Sequence, residues 1–542
     1  MAMSSYRGQN ASAKAFRESR MASAVEGAAT VAGEMSLNVS GQTSPSQTPP
    51  QGEEIRPYER MPYEYEAPSN RRDVRIAVIG GGLAGLMAGW HLALQGYDVT
   101  VIEAQNRVGG RVDTQRPALG PIEAGAELIG KIHNRWVKLA NHFNLGLSPI
   151  ATETMYGWQK LDLPVWLNGR CLTRPEKTAL FSEVEAVYKQ LNVDANYVDP
   201  YEPWASQNAF AWDAKSVEDW IADSLNAGDI GQDTATMLRY ELGANQASPV
   251  HLQSYLGLLA AVRGGSRLPL EPDEEAPYWE GSETYRCSAG NQTLPERMME
   301  ACQKAGGSVL LNEAVTRVNW DGHNYELMTN RRAPTPISAD WVVLAIPPSV
   351  YHRVTFDPIM LSSEITRLGQ IQLGDAVKYL AHVRERFWLS QGLAPTADHT
   401  TLGIVWEATD SQNLQAIAHK TLTVFAGGPL ANTRPWGAKP DVFFQKELNN
   451  VFNGFAHQVD PSISTFVNWP VYPWSLCGYS CPGLNQVTTI CCDLVNPLQQ
   501  LVFAGEHTST AFFGFMEGAL ESGVRAAQLI FTHTGHVPVP RP

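Results

Sequence analysis

The apolar positions of this chain change their period along its length, and each change predicts a different element. From Arg75, RIAVIG is a short, unbroken, β-branched run, the pattern of a strand covered on both faces in a parallel sheet. LAGLMAGWHLALQG follows with apolar residues at helical spacing and Gly96 as its stop. DVTVIEA is a second buried-strand run, so the three together predict a βαβ unit. Roughly residues 170–285 predict acidic, mainly helical structure in KTALFSEVEAVYKQL, SVEDWIADSLNA and QDTATMLRYELGANQ. The tract LPLEPDEEAPYWEGSETY reads as a loop or boundary. LPERMMEACQKAGGSVLLNEAVTRVNWDGHNYELMTN then predicts helix, strand, strand, and ADWVVLAIPPSV a further buried strand stopped by two prolines. Residues 370–470 alternate β-rich runs, such as AVKYLAHV and TLTVFAGG, with Trp- and Gly-containing loops. Near the C-terminus LVFAGE predicts a strand, followed by a Gly-rich turn and the helix MEGALESGVRAAQLIF. Residues 1–70 differ from all of this: Ser, Ala, Gly, Gln, Pro and Glu dominate, which predicts a flexible arm.

Composition allows a large folded body. The 542 residues give room for three or four folding units at about 150 residues each. With 44% hydrophobic and 18% charged residues, a mainly disordered chain, a coiled coil and a collagen-like chain are excluded. The net charge of −14 argues against broad binding to nucleic acid or anionic lipid, but not against a cationic substrate. Seven cysteines, an odd number without paired C-x-x-C spacing, predict reduced structural thiols, no metal site and a cytoplasmic setting. No apolar run reaches the length of about 18 residues that a transmembrane helix needs. The basic start MAMSSYRGQNASAKAFRESR lacks the apolar stretch of a secretory signal.

Three motifs carry candidate chemistry. Gly80-Gly81-Gly82-Leu83-Ala84-Gly85 lies between the first predicted strand and helix. Read as G-x-G-x-x-G, it uses Gly80 for a tight turn, Gly82 for close approach of a pyrophosphate to the backbone, and Gly85 for strand–helix packing. N–H groups at the helix start then face the phosphates. Glu103 ends the second strand 18 residues after Gly85, where an acid accepts hydrogen bonds from ribose hydroxyls. An α/β turn with incidental glycines is the plain alternative. The second motif is Arg107-Val108-Gly109-Gly110-Arg111-Val112, in which Arg111 offers a planar fork to phosphate; a surface loop with arginine–acid pairs is its alternative. The third comes about 400 residues later: Phe503-Ala504-Gly505-Glu506-His507-Thr508, then Gly514-Phe515-Met516-Glu517-Gly518-Ala519, a second glycine-flanked helix start.

Together these motifs resemble the FAD-dependent amine oxidase family, which includes monoamine, polyamine and L-amino acid oxidases. The resemblance covers about residues 73–533, because both ends, GGGLAGL to RVGGR and FAGEHTS to GFMEGALESGVRAA, occur in the family's order. It implies an α/β fold: a Rossmann-like FAD/NAD(P)-binding domain (71–148, 286–360 and 484–533) interleaved with a mixed α+β substrate domain (149–285 and 361–483), plus the arm and a 534–542 tail. It implies FAD contacts at Gly80, Gly82, Leu83, Ala84, Gly85, Glu103, Ala104 and Arg111, and at Gly125, Ala126, Glu127 and Leu128 in EAGAELIG. Val315 resembles the residue whose backbone meets adenine, and Gly505, Glu506, Phe515 and Met516 close the site, with Glu506 a candidate for a ribityl or ribose hydroxyl. Lys378 resembles the lysine that holds a water against flavin N5; without the family, a snorkelling strand-edge lysine is the simpler reading. Tyr479 and Phe515 resemble the two walls of an aromatic cage that aligns the amine, with ordinary core aromatics as the alternative, and Trp469 and Trp474 are candidates beside the flavin.

Two departures from the family shape the expected function. Covalent monoamine oxidases carry a cysteine directly before the cage tyrosine; here Gly478 takes that place and Cys477 precedes it, so FAD is expected to be non-covalent. L-amino acid oxidases resemble G-A-M-R where this chain has Gly125-Ala126-Glu127-Leu128, and Leu128 cannot bind a substrate carboxylate as their arginine does. Lys131 and Arg239 are left as substitute cations, and Glu127 is open to attracting an ammonium group or to a structural hydrogen bond. The expected reaction is oxidation of an amine C–N bond to an imine, hydrolysed to an aldehyde or ketone, with O2 reduced to hydrogen peroxide. An L-amino acid oxidase, a flavin dehydrogenase and a non-catalytic flavin-binding interaction protein are the alternatives. Expected partners are a small-molecule amine or amino acid and O2, with no nucleic acid, no membrane anchor and a homodimer assisted by the arm.

Overall fold

The computed structural model describes residues 60–70, 72–116, 120–150, 161–266, 268–331, 335–409, 420–432, 436–437 and 439–541. Distant parts of the sequence share one five-stranded, all-parallel sheet. Its order is Leu501–Phe503, Trp341–Leu344, Arg75–Ile79, Asp98–Ile102, Ser308–Leu310. Ile76 stands between Val99 and Trp341, and Val78 between Val101 and Val343. Their burial on both faces explains why these runs are continuously apolar rather than alternating.

The helix Leu83–Leu94 is buried from Leu83 to Ala93, because sheet, helix Thr293–Lys304 and helix Met516–His533 surround it. This is the environment that an all-round apolar helix requires. A Cβ on Gly523 would stand 2.5 Å from the Ala84 carbonyl oxygen, so only glycine lets the first and last helices meet at backbone distance. Leu86 and Leu520 are fully buried nearby, and each contributes roughly 2 kcal/mol by leaving water.

A second body faces the C-terminal ends of the parallel strands. It contains a seven-stranded mixed sheet, ordered Thr465–Asn468, Ala376–Val383, Lys420–Gly427, Gly403–Glu407, Thr396–His399, Val165–Leu167, Arg170–Cys171. The helices Arg174–Ala195, Val217–Ala227, Gln232–Asn245 and Tyr255–Gly264 supply a further core. The start of Val217–Ala227 shows how local sequence sets a boundary. Asp219 N–H donates to Ser216 Oγ at 3.0 Å, and Ser216 N–H donates back to Asp219 Oδ2 at 2.9 Å.

Three expectations are corrected. Residues 308–329 form three strands, not two: the short SVL run joins the parallel sheet, while Val315–Trp320 and Tyr325–Thr329 pair antiparallel in a separate four-stranded sheet. The tract read as a loop near residue 275 carries a short helix, Pro277–Gly281. Residues 60–70, expected in the flexible arm, dock on the fold: Met61 and Tyr65 are buried, and Glu66 N–H donates to Val539 O at 2.8 Å. The apolar cluster MPYEY breaks the arm's polar composition at that point. The rest of the expected arm, residues 1–59, lies outside the described residues. Among the described residues no helix is long and apolar enough to cross a membrane, and all seven cysteines are free thiols.

Candidate active site

The C-terminal ends of the parallel strands, the seven-stranded sheet and the helical part enclose a cavity of about 360 Å³. This is where open α/β sheets bind their ligands. Gly80 makes the first turn at φ 109°, with the Ala345 carbonyl so close that a Cβ would stand 2.7 Å from it. Gly82 lines the cavity, and nothing but Gly109 O lies within 4.0 Å of its missing Cβ. Gly85 does not line the cavity: its Cβ would be 2.0 Å from Gly80 O, so it serves helix–strand packing.

The first intrahelical bond runs from Leu86 N–H to Gly82 O at 3.0 Å, which leaves the N–H groups of Leu83 and Ala84 at a helix start on the cavity wall. Phe515 and Met516 bring the start of the last helix to the same cavity. Glu103 closes the second strand there. Its Oε2 accepts Gly81 N–H at 2.7 Å and its Oε1 accepts Gln105 N–H at 2.8 Å. Burial pushes this carboxyl up, against those hydrogen bonds. Ala104, Gly125, Ala126, Val315 and Gly505 also line the cavity.

The two arginines of RVGGR do different jobs. Arg107 spends its guanidinium on the carbonyls of Val108, Gly110 and Val112, so it holds the loop. Arg111 lines the cavity and donates through Nη1 only, to Glu506 Oε1 at 2.7 Å and Gly478 O at 3.1 Å, leaving the rest of its fork for an anion. Glu506 accepts from Arg111 and Ser480 N–H on Oε1, and from Ser480 Oγ at 2.6 Å and Gly514 N–H at 2.7 Å on Oε2. Glu506 thus ties three loops together on the cavity wall. Burial would raise its carboxyl, yet Arg111 beside it holds it below its ordinary value.

The opposite wall comes from the seven-stranded sheet. Lys378 pairs with Phe425, and Phe425 with Ile404; the three cross-strand neighbours all line the cavity. Trp406, two residues beyond Ile404, projects to the same face. Lys378 lies on a strand flanked on both sides and is buried, so the strand-edge snorkelling reading is wrong. Its Nζ donates to Glu123 O at 2.8 Å, Gly125 O at 3.1 Å and Glu127 Oε2 at 2.8 Å.

Tyr479 and Phe515 face the same cavity without ring contact between them. The Tyr479 hydroxyl donates to Asn245 O at 2.7 Å, and burial raises its pKa well above the usual phenol. The Phe515 ring packs against Tyr278 and His133 at 6.2 and 5.0 Å between centres. Trp469 and Trp474 line the cavity too.

Sequence reasoning missed Trp406, Tyr278, Trp279, Glu241 and Glu283, which also line it. Trp406 lies on a different strand from Lys378 and only the strand register places it; Glu241, Tyr278 and Trp279 come from helices whose faces tertiary packing decides, and Glu283 from the bend after one of them. The two proposed substitute cations are not there. Lys131 is exposed, and Arg239 is bound through two donors to Glu218 at 2.7–3.0 Å. Among the described residues, the cations that line the cavity are Arg111, Arg353 and Lys378.

Two helix starts, an unspent arginine fork, a glycine turn without side chains and an acid at the second strand fit an adenine dinucleotide that continues into an aromatic chamber. The fold and site define a dinucleotide-dependent oxidoreductase. The chain belongs to the family of flavin containing amine oxidoreductases, whose profile matches residues 83–531. It is 24% identical over 485 residues to amine oxidase [flavin-containing] A of Equus caballus, covering 85% of this chain and 86% of that protein. It is also 24% identical to L-amino acid dehydrogenase of a Synechocystis strain, over 86% and 96% of the two chains. Among solved structures, cyclohexylamine oxidase from Brevibacterium oxydans superposes with a TM-score of 0.70 at 23% identity, over 86% and 100% of the chains. Putrescine oxidase bound to putrescine gives 0.70 at 20% identity, over 85% and 99%. The protein is a flavoenzyme of amine oxidation, and its cofactor is FAD.

Proposed function

We propose that the substrate is an amine without an α-carboxylate, that FAD is held non-covalently, and that O2 is the electron acceptor. The carrying observation is the charge of the cavity. Beside Tyr479 and Phe515 its wall holds Glu241 and Glu283, the position expected to bind a carboxylate is Leu128, and Lys378 is already matched with Glu127. Of the other two cations on the wall, Arg111 is paired with Glu506 and turns the rest of its fork to the cofactor's phosphates, and Arg353 donates to Pro473 O and lies over the Trp474 ring, so none is left beside Tyr479 and Phe515 for a substrate carboxylate. Non-covalent binding is supported by Gly478 on the cavity wall, while Cys477 is buried away from it and its thiol is raised by burial.

Bound FAD would supply a two-electron acceptor for a hydride equivalent from the amine's α-carbon; with loss of a proton from nitrogen the product would be the imine, which water hydrolyses to aldehyde or ketone and ammonia or an amine. The chain supplies placement and dryness. Tyr479 and Phe515 flank the amine, the first fixed by its hydrogen bond to Asn245 and the second by Tyr278 and His133. Trp406, Ile404 and Phe425 exclude water from the opposite side. We also propose the division into 71–148, 286–360 and 484–533 for FAD and 149–285 and 361–483 for substrate, which the sheet memberships support, and a cytoplasmic setting, which the seven free thiols support.

The test is an anaerobic screen of amines, each paired with its α-carboxylated counterpart. The amines are expected to bleach the flavin and the amino acids are not, and readmitted O2 is expected to restore the colour with one hydrogen peroxide per turnover. Bleaching by the amino acids alone would reverse the substrate assignment. Recovery only with an added dye would reverse the assignment of the acceptor, a result that the likeness to a dehydrogenase makes worth measuring.

A further inference from the structure

Side chains from four separate segments meet at Glu127 in the cavity wall. Lys378 Nζ donates to Oε2 at 2.8 Å; Trp406 Nε1 and Arg286 Nε donate to Oε1 at 2.7 and 3.1 Å. Arg286 is held from its other side by Glu407 O at 3.0 Å, and Lys378 Nζ lies 5.6 Å from the Trp406 ring centre. The side chains of Lys378, Glu127 and Arg286 are all 5% exposed or less. An ammonium has three N–H groups. Those of Lys378 point to Glu123 O, Gly125 O and Glu127, so it is an immobilised buried cation. The other titratable side chain facing it, Glu123, has its carboxyl pushed up to about 7 by burial.

We infer that Glu127 is a positioning residue: it fixes the Lys378 ammonium in the wall, so that the flavin meets a positive charge held in one place. The inference rests on the reading that the flavin lies against this wall. A carboxylate is needed because three donors converge on two oxygens. An amide would turn its own N–H groups on one of them.

The experiment measures the midpoint potential of the bound flavin in the wild-type holoenzyme, Glu127→Gln, Glu127→Asp, Lys378→Met and Arg286→Gln. Positive charge favours the more negative, reduced flavin. Lys378→Met and Arg286→Gln are expected to lower the potential, Glu127→Gln to raise it, and Glu127→Asp to stay closer to wild type than Glu127→Gln does. An unchanged potential in Glu127→Gln, or a shift of the same sign as in Lys378→Met, overturns the inference. Should Glu127→Gln not accumulate, an unchanged potential in Arg286→Gln overturns it. A wild-type protein that carries no flavin, or whose flavin no amine bleaches, is a different failure: it removes the functional reading and the inference with it.

Discussion

Around Gly80 the cavity wall is made of backbone; around Lys378 it is made of side chains. The first wall comes from one short stretch, where a φ of 109° at Gly80, an open Gly82 and the start of helix Leu83–Leu94 follow one another within a few residues. The second needs Arg286, Lys378 and Trp406 to converge on the Glu127 carboxylate and Glu123 to offer its carbonyl to Lys378, from positions spread over almost 300 residues of sequence. The difference teaches where each wall is fragile. A backbone wall fails when an atom is added to it. A side-chain wall fails when a charge is removed.

The largest effect is expected from the first wall. Gly85→Val places its Cβ 2.0 Å from Gly80 O, which forces the turn and helix apart. Loss of bound FAD and destabilisation of about 3 kcal/mol are expected; the flavin-to-protein ratio and a denaturant melt check both. A wild-type flavin content would show that the turn tolerates displacement, and the contrast between the walls would fail. Lys378→Met comes next. Glu127 keeps Arg286 and Trp406 but loses its shortest cationic partner, at a cost of about 3 kcal/mol. FAD is expected to stay bound while its reduction by amine, or its reoxidation, slows in stopped-flow traces. Unchanged rates for both halves of the cycle would remove Lys378 from the chemistry. Tyr479 separates ring from hydroxyl. Tyr479→Phe gives up the bond to Asn245 O, worth about 1 kcal/mol, and is expected to leave flavin reduction within a few-fold. Tyr479→Ala removes the wall itself, and a slowing by about tenfold or more is expected; equal rates in the two variants would make Tyr479 an ordinary core aromatic.

The smallest effect is spread over both bodies and shows in the pH dependence of stability. Burial lowers His91 and His133 to about 3 and His507 to about 4. Their stabilising contribution is complete above about 6.5 and is lost as pH falls towards those values, at about 1.4 kcal/mol per pH unit for each group. Glu123 and Asp398, raised by burial to about 7, act oppositely: what they contribute is complete below their unfolded values near 4 and is lost as pH rises to about 7. The histidines make acidification from about 6.5 to 4.5 destabilising, and the two carboxyls offset part of that loss. Below 4.5 the carboxyls no longer compensate and the loss steepens. Denaturant midpoints between pH 4 and 7.5 check this shape; a midpoint that rises as pH falls from 4.5 to 4 would contradict it.

The same contrast explains what could be read from the sequence. Gly80, Gly82 and Glu103 sit at fixed local offsets, and their cavity positions follow from strand–turn–helix geometry alone. Lys378 and Tyr479 were reachable only through the family resemblance, because no local rule says that the face of Ala376–Val383 bearing Lys378 looks onto a distant glycine turn. Trp406 and Arg286 were invisible for the same reason: each is one apolar or basic residue in a strand until a register places it. Glu506 teaches a subtler lesson. Its motif position was legible, but its donors come from Arg111, Ser480 and Gly514, and only their arrival shows that the carboxylate joins three loops.

The claim on which the rest depends is that both ends of the polypeptide hold one FAD without a covalent bond. It is tested most directly by quantifying flavin in the purified wild-type protein before and after acid precipitation. The expected result is one FAD per chain, recovered entirely in the supernatant. A colourless protein that takes up no added FAD, or flavin that stays with the precipitate, would contradict it.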